Sequence, residues 1–252
     1  MIHVETRDIF SLPTSYFEGF DIIIGTDLPI QGLNTLNANA RMCKKAFYAA
    51  GSHGLYGYVF ADLIEHTYVI TRDKSNIATK IGPETATRTV ISATSERQGG
   101  KELELVTKVE SYQPLILANT SPLPQSYLTS KRRLKSVTPL LPCMRALWEF
   151  EKSIIPPRPF SPGNAEDLKT FTKLANQLSR ELQLPAETLT ADFLRSFLQN
   201  LYSEISPVCA FLGAQLAQDV INVLGSREQP IQNMLLFDGE ESKAPVYALY
   251  PM

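Results

Sequence analysis

Hydrophobic positions change their period several times along the chain, and each change predicts an element. Phe20-Asp21-Ile22-Ile23-Ile24-Gly25 is a nearly continuous β-branched run bounded by Gly19 and Thr26-Asp27. Such a run suits a strand covered on both faces, as in a parallel sheet. Leu33, Leu36, Ala40, Cys43 and Phe47 follow at spacings of three and four, which predicts a helix ending near Gly51. An aromatic-rich strand is expected from Tyr56 to Leu63. Strand, helix and strand in that order make a βαβ unit and put the front third of the chain in a parallel α/β layer. Ile2-His3-Val4-Glu5 reads as one more short strand ahead of it.

From Thr71 to Glu110 the pattern turns to β-branched alternation, with Thr89-Val90-Ile91 and Leu103-Glu104-Leu105-Val106 flanking a polar stretch. Gly99-Gly100 makes that stretch a hairpin turn. Residues 112–136 are rich in Pro, Ser and Thr and hold the basic run Lys131-Arg132-Arg133-Leu134-Lys135, which reads as a solvated face. A helix near Leu141–Glu151 is expected, capped by Thr138 with Pro139 in its first turn. The proline-rich segment 156–163 breaks regular structure. An amphipathic helix follows, with Leu168, Phe171, Leu174, Leu178 and Leu182 on one face and Asn164 as cap. A short helix carries Phe193, Leu194, Phe197 and Leu198, with Thr190 as its cap.

Residues 206–225 predict a long helix in which Ser206 caps, Pro207 occupies the first turn and Gly225 closes the end. Its first three turns are almost wholly apolar, which predicts a buried helix. Ala210, Gly213, Ala214 and Ala217 give it a small-residue face on which another element can pack closely, either within the core or across a subunit interface. Tyr56, Tyr58 and Phe60 suit a core or the centre of an interface. The tail supplies a strand at Met234-Leu235-Leu236-Phe237, a turn at Asp238-Gly239 and a last strand near Val246 to Leu249.

With 252 residues, 44% hydrophobic and 20% charged, the chain is long enough for one large or two small cores and is not a disordered polymer. A net charge of -2 supplies no positive field for nucleic acid, so that partner is not expected. No apolar run is read as membrane-spanning, so no membrane partner is expected. Cys43, Cys143 and Cys209 are scattered and odd in number, with no CxxC pair. They read as reduced thiols of a reducing compartment such as cytosol or nucleus. Cys43 and Cys209 lie on apolar helix positions and read as core thiols. Cys143 is near a helix start, where a thiol pKa can fall, but no base accompanies it.

His3, His53 and His66 share no metal-ligand spacing and have no nucleophile elbow. Asp21, Asp27, Asp62 and Asp238 sit at strand ends or turns, where α/β enzymes place ligand-contacting carboxylates, and where Asp also serves as a turn former. No GxGxxG or GxxxxGK[ST] occurs. The expected set of catalytic, cofactor-binding and metal-binding residues in this chain is therefore empty.

Pro207-Val208-Cys209-Ala210, Gly213, Ala217-Gln218-Asp219-Val220-Ile221-Asn222, Gln229-Pro230, Asn233 and Phe237-Asp238-Gly239 resemble the C-terminal part of the adenylation-type half of the enzymes that activate ubiquitin-like proteins. Residues 54–65 and Ile81-Gly82-Pro83 are most similar to the smaller, Aos-type subunit of the SUMO-activating enzymes. The resemblance implies a Rossmann-like, ThiF-type α/β fold, truncated at its N-terminus, with an inserted β-hairpin and helical region. Residues 1–70 would be the later part of the sheet layer. Residues 71–163 would be the insert, and residues 164–252 would close the domain.

The same resemblance implies a heterodimer in the nucleus and cytoplasm. In it a large, Uba-type subunit holds ATP, magnesium, zinc and the catalytic cysteine, while this chain binds no cofactor itself. SUMO would be a transient partner, adenylated at its C-terminus and then captured as a thioester on the large subunit. The arginine that the small subunit of such enzymes extends toward the ATP phosphates has no counterpart here, since Arg7 lies in the wrong segment. A sheet missing its first strands is expected to show an open edge and poor solubility without its partner. The alternatives are the equivalent subunit of a neddylation-type enzyme and a self-contained ThiF/MoeB-like adenylyltransferase. The latter calls for a phosphate loop and paired CxxC motifs.

Overall fold

The computed structural model describes residues 2–154 and 158–251. Residues 2–5 form no strand: they are largely exposed and pair with no other strand, and two short 3-10 turns, Ile9–Ser11 and Thr14–Gly19, follow. Alternation alone does not hold a strand that has nothing to pair with. β1 (Ile22–Thr26) does form, but its burial alternates, with Ile23 and Gly25 inward and Ile24 45% exposed. It is an edge strand with one open side, unlike the doubly covered strand the β-branched run predicts.

Helix α1 (Ile30–Met42) buries Ile30, Leu33, Leu36 and Ala40. A Cβ on Gly25 would lie 2.9 Å from Leu33 Cδ2, so glycine there lets α1 sit directly on β1. The helix stops well before Gly51. Lys44 adopts a left-handed φ of 55°, its N–H returns to Arg41 O, and Lys45 N–H returns to Ala40 O at 2.8 Å.

The chain then enters β2 (Ala46–His53), which pairs parallel to β1. β3 (Tyr56–Asp62) pairs antiparallel to β2 across a two-residue turn in which Gly54 has φ 59°. The βαβ unit is therefore β1-α1-β2, and the aromatic strand expected to complete it is a hairpin partner.

β4 (Glu65–Asp73), β5 (Gly82–Pro83), β6 (Arg88–Gln98) and β7 (Lys101–Ser111) form a second, antiparallel sheet in the order β4-β7-β6-β5. Gly99 and Gly100, at φ 57° and 83°, turn β6 into β7 as expected. Tyr68, Val90 and Val106 are buried in this sheet beside an ionic chain in which Arg88 pairs with Glu110 and Lys108 with Glu84.

Short helices α2 (Leu115–Thr120), α3 (Gln125–Leu128) and α4 (Lys131–Lys135) lead to α5 (Leu140–Ser153). The four basic residues of α4 are all exposed, in keeping with a solvated face. Thr138 Oγ1 accepts the Leu140 N–H at 3.2 Å at the start of α5. Residues 155–157 of the proline-rich segment lie outside the described residues, and beyond them Phe160 is buried between Phe150 and Phe171.

Asn164 Oδ1 accepts Glu166 N–H at the start of α6 (Ala165–Glu181), and Thr190 Oγ1 accepts Phe193 N–H at the start of α7 (Ala191–Asn200). Helix α8 (Ser206–Leu224) starts from Ile205 with no side-chain cap, so Ser206 does not play the capping part, while Pro207 does occupy the first turn. β8 (Met234–Asp238) and β9 (Val246–Tyr247) complete the first sheet in the order β1-β2-β3-β8-β9.

The period-2 alternation of β2 and β3 divides this sheet's two faces. Phe47, Ala49, Tyr56, Tyr58 and Phe60 join the core made by α1, α5, α6 and α7. Tyr48, Ala50, Val59 and Ala61 face α8 through Val208, Leu212 and Leu216. The architecture is mixed α/β.

Candidate functional site

Parallel strands β1 and β2 end side by side at Asp27 and His53, next to the first turn of α1. The C-terminal edge of such a pair is where α/β sheets place their binding crevices. A crevice of about 530 Å³ opens there, walled by Leu28, Ser52, Tyr58 and Trp148. Asp27 has a left-handed φ of 49° and accepts the Ser52 N–H through Oδ1 at 3.0 Å, tying the two strand ends together.

The carboxylates on this wall are Asp27, Glu151 and Glu204. Glu151 reaches from α5 and accepts the Ile30 N–H at 3.1 Å, so the protein's own carboxylate already occupies the positive end of α1 at its first N–H. Burial raises the Glu151 pKa, and that N–H only partly offsets it.

The one cation on the described wall, Arg158, is held in a fork by Asp167 with both contacts at 2.6 Å. A phosphate entering here would meet three acids and a committed arginine. The residues present do not fit a nucleotide polyphosphate.

His53, on the same wall, is kept neutral: burial lowers its pKa to about 4, and its Nδ1 accepts the Tyr202 N–H at 3.4 Å. Tyr58 stacks edge-on against Trp148, with ring centres 5.1 Å apart.

Helix α8 is the second feature, and it departs from the buried helix its sequence predicts. Only Val208, Leu212, Leu216, Asp219 and Val223 of its 19 residues are buried. Ala210, Gly213, Ala214 and Ala217 are all exposed, and a Cβ on Gly213 would meet nothing within 4 Å. Ile221 and Leu224 are each 63% exposed. The small-residue face thus looks outward along a helix about 28 Å long.

Asp219 fixes α8 to the sheet. Its carboxylate accepts the Tyr48 hydroxyl at 2.8 Å and the Ile231 N–H at 2.9 Å, and burial raises its pKa. By length and composition α8 is also apolar enough to cross a membrane, contrary to the expectation that no run approaches that length. Its inner face, however, is engaged with the sheet through Asp219, Leu212 and Leu216.

No family model matches the chain. The DNA damage tolerance protein RHC31 of Saccharomyces cerevisiae is 28% identical over 250 residues, covering 98% of this chain and 70% of that protein. The DNA damage tolerance protein rad31 of Schizosaccharomyces pombe is 27% identical, covering 98% of this chain and 67% of its own length. SUMO-activating enzyme subunit 1 of Homo sapiens is 26% identical over 255 residues, covering 99% of this chain and 69% of that protein. The chain is a homologue of SUMO-activating enzyme subunit 1. The resemblance drawn from residues 54–65 and from the α8 block therefore extends over nearly the whole chain.

In this subunit 1 homologue the four aspartates singled out in the sequence do not converge. Asp21 is exposed ahead of β1, and Asp27 lies on the crevice. Asp62 is fully buried at the end of β3, where it accepts Asn37 Nδ2 at 2.7 Å and two contacts from Arg41 Nη1 at 2.7 and 2.8 Å. It locks α1 to β3. Asp238 accepts the N–H groups of Glu240 and Glu241 and shapes the turn after β8, as turn chemistry predicts.

Cys143 is fully buried and its thiol pKa is pushed up by burial, so packing overrides its place near a helix start. Cys43 and Cys209 are only half-buried, less covered than core positions would be. Cys43 Sγ donates to Thr14 O at 3.3 Å, and Cys209 Sγ lies 3.6 Å from Ser52 Oγ. His66 stacks on Tyr68 in the second sheet. Tyr56, Tyr58 and Phe60 are core residues.

Among the described residues, no three His, Cys, Asp or Glu side chains gather as a metal site. Sequence reasoning passed over Glu151 and Trp148 because both belong to α5, far from β1 in the chain. Only the packing of α5 beside α1 brings them to the crevice.

Proposed function

We propose that the chain is the small, non-catalytic subunit of a heterodimeric SUMO-activating enzyme. In this role it supports ATP-dependent adenylation of the SUMO C-terminus and thioester transfer, both carried out on the large subunit. The observation that carries this reading is the match to SUMO-activating enzyme subunit 1 along 99% of the chain. The acid-lined crevice supports the division of labour, because Asp27, Glu151 and Glu204 repel phosphate and the one cation on its described wall, Arg158, is already held by Asp167, so it does not suit the phosphate groups of ATP. ATP and magnesium belong to the large subunit, and the alternative of a self-contained adenylyltransferase is not favoured. A neddylation-type subunit is disfavoured by relatives that carry the SUMO name.

The large subunit docks on the outer face of α8, where Ala210, Gly213, Ala214 and Ala217 leave room for a close helix or strand approach, with Ile221 and Leu224 as apolar contacts. A stable interface needs about 800 Å² per partner, so this stripe is the centre of a larger patch. In fold terms, β1-α1-β2 with a free β1 edge is read as part of a ThiF-type, Rossmann-like sheet, and the second sheet with α2 to α4 as its insert.

The test is to mix the chain with the large SUMO-activating subunit, SUMO and magnesium ATP. Native mass spectrometry should show a one-to-one complex, and non-reducing gels should show SUMO thioester on the large subunit above its level without the chain. No complex, or a SUMO adenylate formed by this chain alone, overturns the reading.

A further inference from the structure

We propose that the crevice at the ends of β1 and β2 is a binding site for a small organic cation with an apolar body, of the arylalkylamine kind. The first observation is a pair of donor groups on nearly buried side chains that line the crevice. Tyr58 is 2% exposed and Trp148 3%, yet among the described residues neither the phenol hydroxyl nor the indole N–H has a hydrogen-bond partner. Buried hydroxyl and indole groups normally find one.

The Tyr58 hydroxyl end lies at Gly51, where a Cβ would stand 3.1 Å from the oxygen, and the charges of Asp27 and Glu151 both bear on it. It is thus directed into the cavity, which Gly51, Asp27 and Glu151 also line.

The second observation is charge. The described wall holds Asp27, Glu151 and Glu204 against Arg158, which Asp167 already neutralises. Anionic groups beside two aromatic rings in a half-enclosed apolar space favour a cation through both ion pairing and the ring faces. An ammonium head placed between Asp27 and Glu151, with its hydrocarbon frame against Trp148 and Leu147, satisfies the acids. An acceptor atom on the frame meets Tyr58. The inference does not rest on the SUMO assignment, because it uses only residues of this chain.

Trp148 is the chain's single tryptophan, so its fluorescence reports the site directly. Titrating the 252-residue chain with phenethylamine should give a saturable change. Equal titration with 3-phenylpropanoate, the same frame with opposite charge, should not. Glu151→Gln should weaken phenethylamine by about tenfold. Asp27→Asn, at an exposed position where Asn also tolerates the left-handed backbone, should weaken it severalfold and serves if the Glu151 variant does not fold. Tyr58→Phe should leave phenethylamine binding intact and weaken its para-methoxy derivative, which carries an acceptor. No saturable change through the millimolar range, or equal binding of the carboxylate, overturns the proposal.

Discussion

Helices α5 and α8 lie on opposite sides of the same sheet, and the more apolar of the two is the less covered. α5 carries Arg145, Glu149, Glu151 and Lys152, yet ten of its fourteen residues are buried, since α1, α6 and α7 pack around it. α8 carries a single charge, Asp219, in nineteen residues and buries five, because only one sheet face touches it. Hydrophobicity decides which surface leaves water when a neighbour exists; it does not supply the neighbour. The uncovered apolar face of α8 is therefore a surface of the subunit 1 homologue that calls for a partner, whereas α5 is already satisfied.

Four changes break or sharpen that contrast. On the covered side, Phe150→Ala removes a ring packed on Phe160 and should cost about 3–5 kcal/mol in urea unfolding. His53, against Phe197 and Tyr202, makes the same side pH-sensitive. Its folded pKa of about 4 lies below the value of 6.5 that the imidazole has when unperturbed. The unfolded chain thus binds the proton first as pH falls. Stability is complete above pH 6.5 and declines toward pH 4, by up to about 3 kcal/mol. His53→Gln should flatten that decline in urea midpoints measured across the window. Asp219, on the α8 side, has a raised pKa and acts with the opposite sign, offsetting part of the loss at low pH.

On the uncovered side the same assays should barely move. Gly213→Arg places a better helix former where nothing is within 4 Å, so folding should be stabilised by up to about 1 kcal/mol. Ile221→Ala should change stability by no more than about 0.5 kcal/mol, since its side chain is mostly in water. A large loss at either position means that the outer face of α8 is packed within the folded chain, and the contrast fails.

The sequence was most readable where local chemistry and period agree. Asn164 and Thr190 cap the helices they precede, and Gly99-Gly100 turns a hairpin, because each signal acts within a few residues. The end of α1 was not readable, since it is Lys44, not glycine, that takes the left-handed conformation, and Ala46, Ala49 and Ala50 give β2 little β-branched character. The exposure of α8 was hidden for a different reason. An all-round apolar pattern reads as burial whether the cover comes from the same chain or another. The crevice joins residues 27, 58 and 151, and only the completed packing brings them together.

Capture on a tagged large SUMO-activating subunit, comparing the wild-type chain with Gly213→Arg, tests the central claim most directly. The wild-type chain should co-elute in one-to-one ratio, while Gly213→Arg, folded and at least as stable, should be lost from the complex. Equal capture of both would contradict docking on the outer face of α8.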